Sequence, residues 1–195
     1  MPKVSDEYRA ARRDEILDAA LRAFSAKGLD GASMADIIAE AGLSAGAIYG
    51  HFPSKVELLA AVAQRTLGQR RLEVAARQEE GEAPLTPGEV LATVLRGMRA
   101  HFDTRLLVQL WAAAATDTEL GDTIRGPVRA IRETFSDAIR PWFLANYPAE
   151  EAEARLARSV PIMMALGQGF MIQRQLFDDF DEEGYLAELP GTLPH

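Results

Sequence analysis

Apolar side chains at Ile16, Leu17, Ala20, Leu21 and Phe24 recur three and four residues apart, the period of one helix face. The pattern predicts a first helix over about 6–27. Ser5 caps it, Asp6 and Glu7 sit at the positive end of its dipole, and Gly28 stops it. Gly31 is a second breaker. Ser33 and Asp36 then form an S-x-x-D capping pair ahead of Met34, Ile37, Ile38 and Ala41, which share an apolar side. Gly42 ends this short helix and Leu43 fills the turn. Ser44 caps a third, in which Ile48 and Phe52 face inward until Pro53. Ser54 and Glu57 open a long helix through Leu58, Leu59, Val62 and Leu67 to about Gln78.

The stretch EEGEAPLTPG, 79–88, is the clearest loop. Beyond it, helices are predicted over about 88–102, 104–116, 119–144 and 149–177. Ile124, Val128, Ile131, Phe135, Ala138 and Trp142 step by four and three, a sustained packing stripe, with Pro127 a kink or a late start. In the last long helix, kinked at Pro161, VPIMMALGQGFMI is apolar on every side and must be covered on every side. A body of four or five helices has too little surface for that, so a second subunit is expected there, with Gly167 and Gly169 in the contact. No alternating strand pattern occurs. The expected fold class is all-α. A helix-turn-helix head, 1–53, continues through a linker helix, 54–79, into a helical body, 80–195.

Composition adds limits. With no cysteine, disulfides, zinc–thiolate sites and thiol catalysis are excluded. The N-terminus is polar and does not read as a signal peptide. The longest uncharged run, Ser159 to Gln173, has 15 residues, short of the roughly 20 that span a bilayer. A cytoplasmic protein with no membrane partner is expected. The net charge of −8 is unevenly placed. Residues 1–72 carry 10 Lys and Arg against 9 Asp and Glu; the remainder carries 11 against 20. All three lysines, Lys3, Lys27 and Lys55, lie in the first part. Nucleic acid would be repelled by the acidic body, so any such contact belongs to the head.

A helix, a glycine turn and a Ser-capped short helix, closing on AGLSAGAIY-x-HF-x-SK-x-EL, resemble the head of the TetR family of transcriptional regulators. The detailed resemblance covers residues 8–65; the rest is similar only in architecture. It implies a homodimer formed by the last two long helices, a ligand cavity in the body, and a recognition helix at 44–51. By position it implies phosphate contacts from Ser33, Tyr49, His51 and Lys55. Two departures stand out. The family often has Lys at the place of Ala45 and a large polar or aromatic residue at that of Gly50, and it usually has Ala at that of Ile38. Small residues at Ser44, Ala45, Gly46 and Ala47 cannot grip base edges in pairs. They let backbone N–H groups approach a phosphate, and Ala45 and Ala47 touch thymine methyls. Specificity then rests on these contacts, DNA shape and half-site spacing. Lys3, Arg9, Arg12 and Arg13 form a basic N-terminal arm.

In the body, Met98, His101, Phe102, Trp111, Phe135, Met164 and Gln168 are the candidate effector contacts, since Met and aromatic residues make adaptable pockets. Each is also plausible as plain core. The run DDFDEEG, 178–184, misses the glycine and terminal glutamate of a calcium loop and is expected to be a solvated tail. His51, His101 and His195 are far apart and imply no metal site. No nucleophile–base pair or phosphate loop supports an enzyme, and no cofactor is expected. The expectation is a dimeric repressor that binds a palindromic duplex and is released by a small, largely apolar effector. The rival is a DNA-binding regulator without an effector, controlled by a protein partner or by abundance.

Overall fold

The computed structural model describes residues 6–81 and 83–194; the side chains of Leu67, Arg70, Arg71, Glu80 and His101 lie outside the described set. So do Ser5, Lys3 and His195, on which a helix cap, part of the basic arm and one histidine were placed. Among the described residues all regular structure is helical: α1 (Asp6–Gly31), α2 (Met34–Ala41), α3 (Ala45–Tyr49), α4 (Lys55–Glu80), α5 (Pro87–His101), α6 (Arg105–Thr116), α7 (Thr118–Asn146), α8 (Ala149–Leu176) and α9 (Glu182–Thr192). The all-α expectation holds.

The chain divides into two compact units. One comprises residues 1–64 and 109–127; the other comprises 65–108 and 128–195. The division falls inside α4, inside α6 and inside α7, at Pro127, whereas the loop pattern of the sequence marks 79–88.

In the first unit Ile16, Leu17, Ala20 and Phe24 of α1 are buried, as are Ile37, Ile48, Phe52, Leu58, Leu59 and Val62. Burial of this apolar set supplies the unit's stabilisation, about 1.5–3 kcal/mol for each large side chain. Gly28 adopts φ 72° and ψ 178°, so the first helix breaks there and one further turn follows to Gly31. A residue with a Cβ would be strained at that φ.

In the second unit α5 packs on α8 and α9. Gly167 is buried, and a Cβ on it would lie 3.6 Å from Leu91 Cδ1 and 3.7 Å from Leu95 Cδ2. That corrects one expectation: Gly167 faces α5 of its own chain, not a partner. A Cβ on Gly88 would run into the Leu189 carbonyl oxygen, so α5 meets α9 backbone to backbone. The segment after α8 is not a solvated tail. Asp181 Oδ1 accepts from the Gly184 N–H (2.9 Å) and caps α9. Glu182 pairs with Arg174 (3.1 Å), Glu183 pairs with Arg99 (2.6 Å), and Leu186 and Leu189 are buried. The sequence hid this helix because EEGYLAELPGT carries two glycines and a proline. Tertiary burial of two leucines overrides the local breakers.

Candidate nucleic-acid interface

The two helices that build the site owe their boundaries to caps. At the start of α2, Ser33 Oγ accepts from the Asp36 N–H (3.2 Å), and Asp36 Oδ2 accepts from the Ser33 N–H (2.9 Å) and hydroxyl (2.7 Å). Lys27 Nζ adds a bond to Asp36 Oδ1 at 2.6 Å. The lysine first, and the Ser33 donors after it, hold the Asp36 carboxyl far below the ordinary carboxylate range. Gly42 ends α2 in the left-handed region, φ 64° and ψ 24°. The chain can therefore turn at once into Ser44, whose Oγ accepts from the Ala47 N–H (3.3 Å) and caps α3.

This geometry turns α3 inside and out in one step. Ile48 and Phe52 are buried, and α2 touches α3. The opposite side of the short helix exposes Ser44, Ala45, Gly46, Tyr49 and Gly50, with Ala47 and His51 half-buried. Tyr49 is 48% exposed, which decides against a core aromatic. The space around Gly46 is open: a Cβ there would meet no atom within 4 Å. His51 lies against Phe52 with ring centroids 6.3 Å apart. Ser33 is exposed. Lys55 is half-buried at the start of α4, and its Nζ donates to the Leu29 carbonyl at 2.6 Å.

Of the basic arm, Arg9 is exposed. Arg12 bonds Glu15 and the Tyr8 hydroxyl, and Arg13 stacks over Phe52 at 5.2 Å. Lys27 is the head cation that sequence reasoning left without a role; its partner Asp36 lies nine residues on, beyond a helix break.

The candidate effector residues are not gathered in the same way. Met98, Phe102 and Phe135 are buried, Met164 and Gln168 half-buried, and all five belong to the second unit. Trp111 is half-buried in the first unit. The side chain of His101 lies outside the described residues. None of the other six lines the open cleft of about 270 Å³ formed by Gln78, Gly81, Ala83, Pro84 and Pro141. Among the described residues no group of His, Asp or Glu is placed to hold a metal ion, and no helix is long and apolar enough to cross a membrane.

A glycine-turned helix pair that buries one side of its short second helix and exposes the other is a helix-turn-helix. The family model for bacterial regulatory proteins of the tetR family matches residues 16–62, the segment that holds the whole site. Over that segment the chain is similar to the TetR-family regulators. It is 33% identical over 110 residues to the uncharacterised HTH-type transcriptional regulator YfiR of Bacillus subtilis, covering 55% of this chain and 53% of that protein. It is 42% identical over 78 residues to the HTH-type transcriptional repressor Rv1474c of Mycobacterium tuberculosis, covering 40% and 41%. The chain thus spans about half the length of these relatives. The crystal structure of a TetR transcription regulator from Haloarcula marismortui superposes with a TM-score of 0.63 at 18% identity, over 94% of each chain. That likeness extends the shared fold across the body.

Proposed function

We propose that the protein is a transcriptional regulator that binds duplex DNA through α3 as a two-fold dimer and represses until an effector releases it. The observation that carries the reading is the exposed row Ser44, Ala45, Gly46, Tyr49, Gly50 on a helix whose other side is anchored by Ile48 and Phe52. Small residues let the helix approach the groove closely, with Ala45 and Ala47 against base methyls. Tyr49, His51, Lys55 and Ser33 hold phosphates and set the register. Lys55 spends one of its three ammonium protons on Leu29 and keeps two for a phosphate.

Support for the dimer comes from α8. Ile162, Ala165, Gly169, Ile172 and Leu176 step by three and four along one side of the helix. Ile162, Ala165, Ile172 and Leu176 are exposed, Ile162 at 54% and Leu176 at 68%. Leu144 of α7 and Phe177 are exposed as well. An apolar stripe of that length in water is the signature of a partner surface. The symmetric solution is a second copy contributing the same stripe, with a palindromic site as its consequence.

The effector is read from the body's chemistry. Residues 73–195 contain no lysine. Arg140 is paired with Asp137 and Glu153, Arg158 bonds the Ala154 carbonyl, and Arg132 is exposed. Little positive charge remains for a buried anion beside Met98, Phe102, Phe135, Met164 and Gln168. A largely apolar, neutral or weakly cationic molecule fits that composition.

Sequencing random duplex fragments retained by the purified protein tests the reading. An inverted repeat is expected, with half-sites about one helical turn or a small multiple apart. Retention without enrichment of any sequence contradicts it. For the effector, a panel of apolar neutral and cationic compounds is expected to raise the melting temperature and release DNA. Release by small anions alone contradicts the assigned class.

A further inference from the structure

The break at Gly28 has a second consequence, within the first unit. With ψ at 178°, the peptide after Gly28 turns out of the helical ladder, and Leu29 is itself buried. Its N–H and C=O both need partners. The N–H donates to Gln109 Oε1 of α6 at 3.1 Å, across 80 residues of sequence. The C=O would meet the Ser33 N–H if the helix continued, but that N–H belongs to Asp36 in the α2 cap. The carbonyl accepts instead from Lys55 Nζ at 2.6 Å. One residue of the last turn of α1 is therefore clasped on both sides, by α6 through its N–H and by the first residue of α4 through its C=O. Gly28 is needed for its positive φ rather than for space, since a Cβ there would lie in ordinary contact, 3.9 Å from the Gln109 amide.

We propose that Gln109 is a positioning residue for DNA binding, acting through Leu29 on Lys55. It holds the Leu29 N–H, which fixes where the Leu29 carbonyl points. That carbonyl fixes Nζ, which keeps two protons to offer a phosphate. The inference rests on the DNA-binding reading of the head and adds a residue of α6 to it. Gln109 need not touch DNA, and it carries no charge.

The test is a double-mutant cycle on the duplex selected by the wild-type protein, measured over a salt series, with amide exchange of Leu29 followed in the free protein. Gln109→Leu should weaken binding about fivefold, the equivalent of one ordinary hydrogen bond, with the salt slope unchanged. It should also speed exchange at Leu29 by about the same factor. Gln109→Glu, which keeps an acceptor at the same reach, should restore the Leu29 protection and guards against a trivial folding defect. In a Lys55→Ala background, Gln109→Leu should cost nothing further, because its effect passes through the lysine. Wild-type binding with an equal loss from Gln109→Leu in both backgrounds, or with no loss at all, overturns the proposal while leaving DNA binding intact. Failure of the wild-type protein to select any duplex overturns the DNA reading. Unchanged Leu29 exchange in Gln109→Leu overturns the clasp whatever DNA does.

Discussion

Asp36 illustrates how much of the head hangs on single side chains. Its carboxylate accepts from Lys27, from the Ser33 hydroxyl and from the Ser33 N–H, and each bond favours the charged form. Its folded-state pKa is depressed below the ordinary value of 3.8. The stability it contributes is present above that ordinary value and is lost as pH falls through the depressed one. The melting temperature of the wild-type protein should fall as pH drops below about 4, and Asp36→Asn should melt lower at pH 7 and show a shallower acid fall. Equal acid slopes for the two proteins would contradict this. The contact residues give a second prediction. Tyr49→Phe and Lys55→Ala should weaken binding to all duplexes alike, and Lys55→Ala should reduce the salt slope by about one unit. A change in preferred bases for Lys55→Ala would show that the lysine reads sequence. The candidate residues at 44–51 were legible because Ser caps and a glycine turn announce themselves locally. The Lys27–Asp36 and Gln109–Leu29 bonds were not, because they join positions that no periodicity relates.

The elements divide in the same way. Boundaries set by caps, as at Ser33, Ser44 and Ser54, agree with sequence patterns because each depends on a few adjacent residues. The helix α9 was illegible because its stability comes from what it packs on. Leu189 presses its backbone onto Gly88, so Gly88→Ala should force α5 and α9 apart and cost about 1–3 kcal/mol, read as a lower denaturation midpoint. A midpoint equal to wild type would mean that α9 does not hold this place in solution. The all-round apolar character of α8 was legible, but its partition was not. Gly167 turns toward Leu91 and Leu95, while Ile162 and Ile172 turn away. That sets up a contrast. Gly167→Glu should lower stability by several kcal/mol with a buried charge. Ile172→Glu should leave the fold intact and separate subunits, read by static light scattering as half the mass. The opposite assignment of effects would reverse the proposed faces of α8.

At the scale of the molecule, charge and fold tell a consistent story: a near-neutral head with exposed small residues, and an acidic body with an apolar stripe. The sum of −8 alone would have argued against DNA; its distribution points DNA to the head. If α3 enters the DNA groove, Gly46 offers the most direct test. It is exposed, with no atom within 4 Å of where a Cβ would sit, so Gly46→Glu should leave the melting temperature unchanged. Against DNA the new carboxylate meets phosphates at close range, and like-charge juxtaposition costs several kcal/mol. Titrating the selected duplex with wild-type and Gly46→Glu protein should show affinity lower by about a hundredfold or more in the variant. Equal affinities for two equally stable proteins would place the DNA contact elsewhere on the molecule.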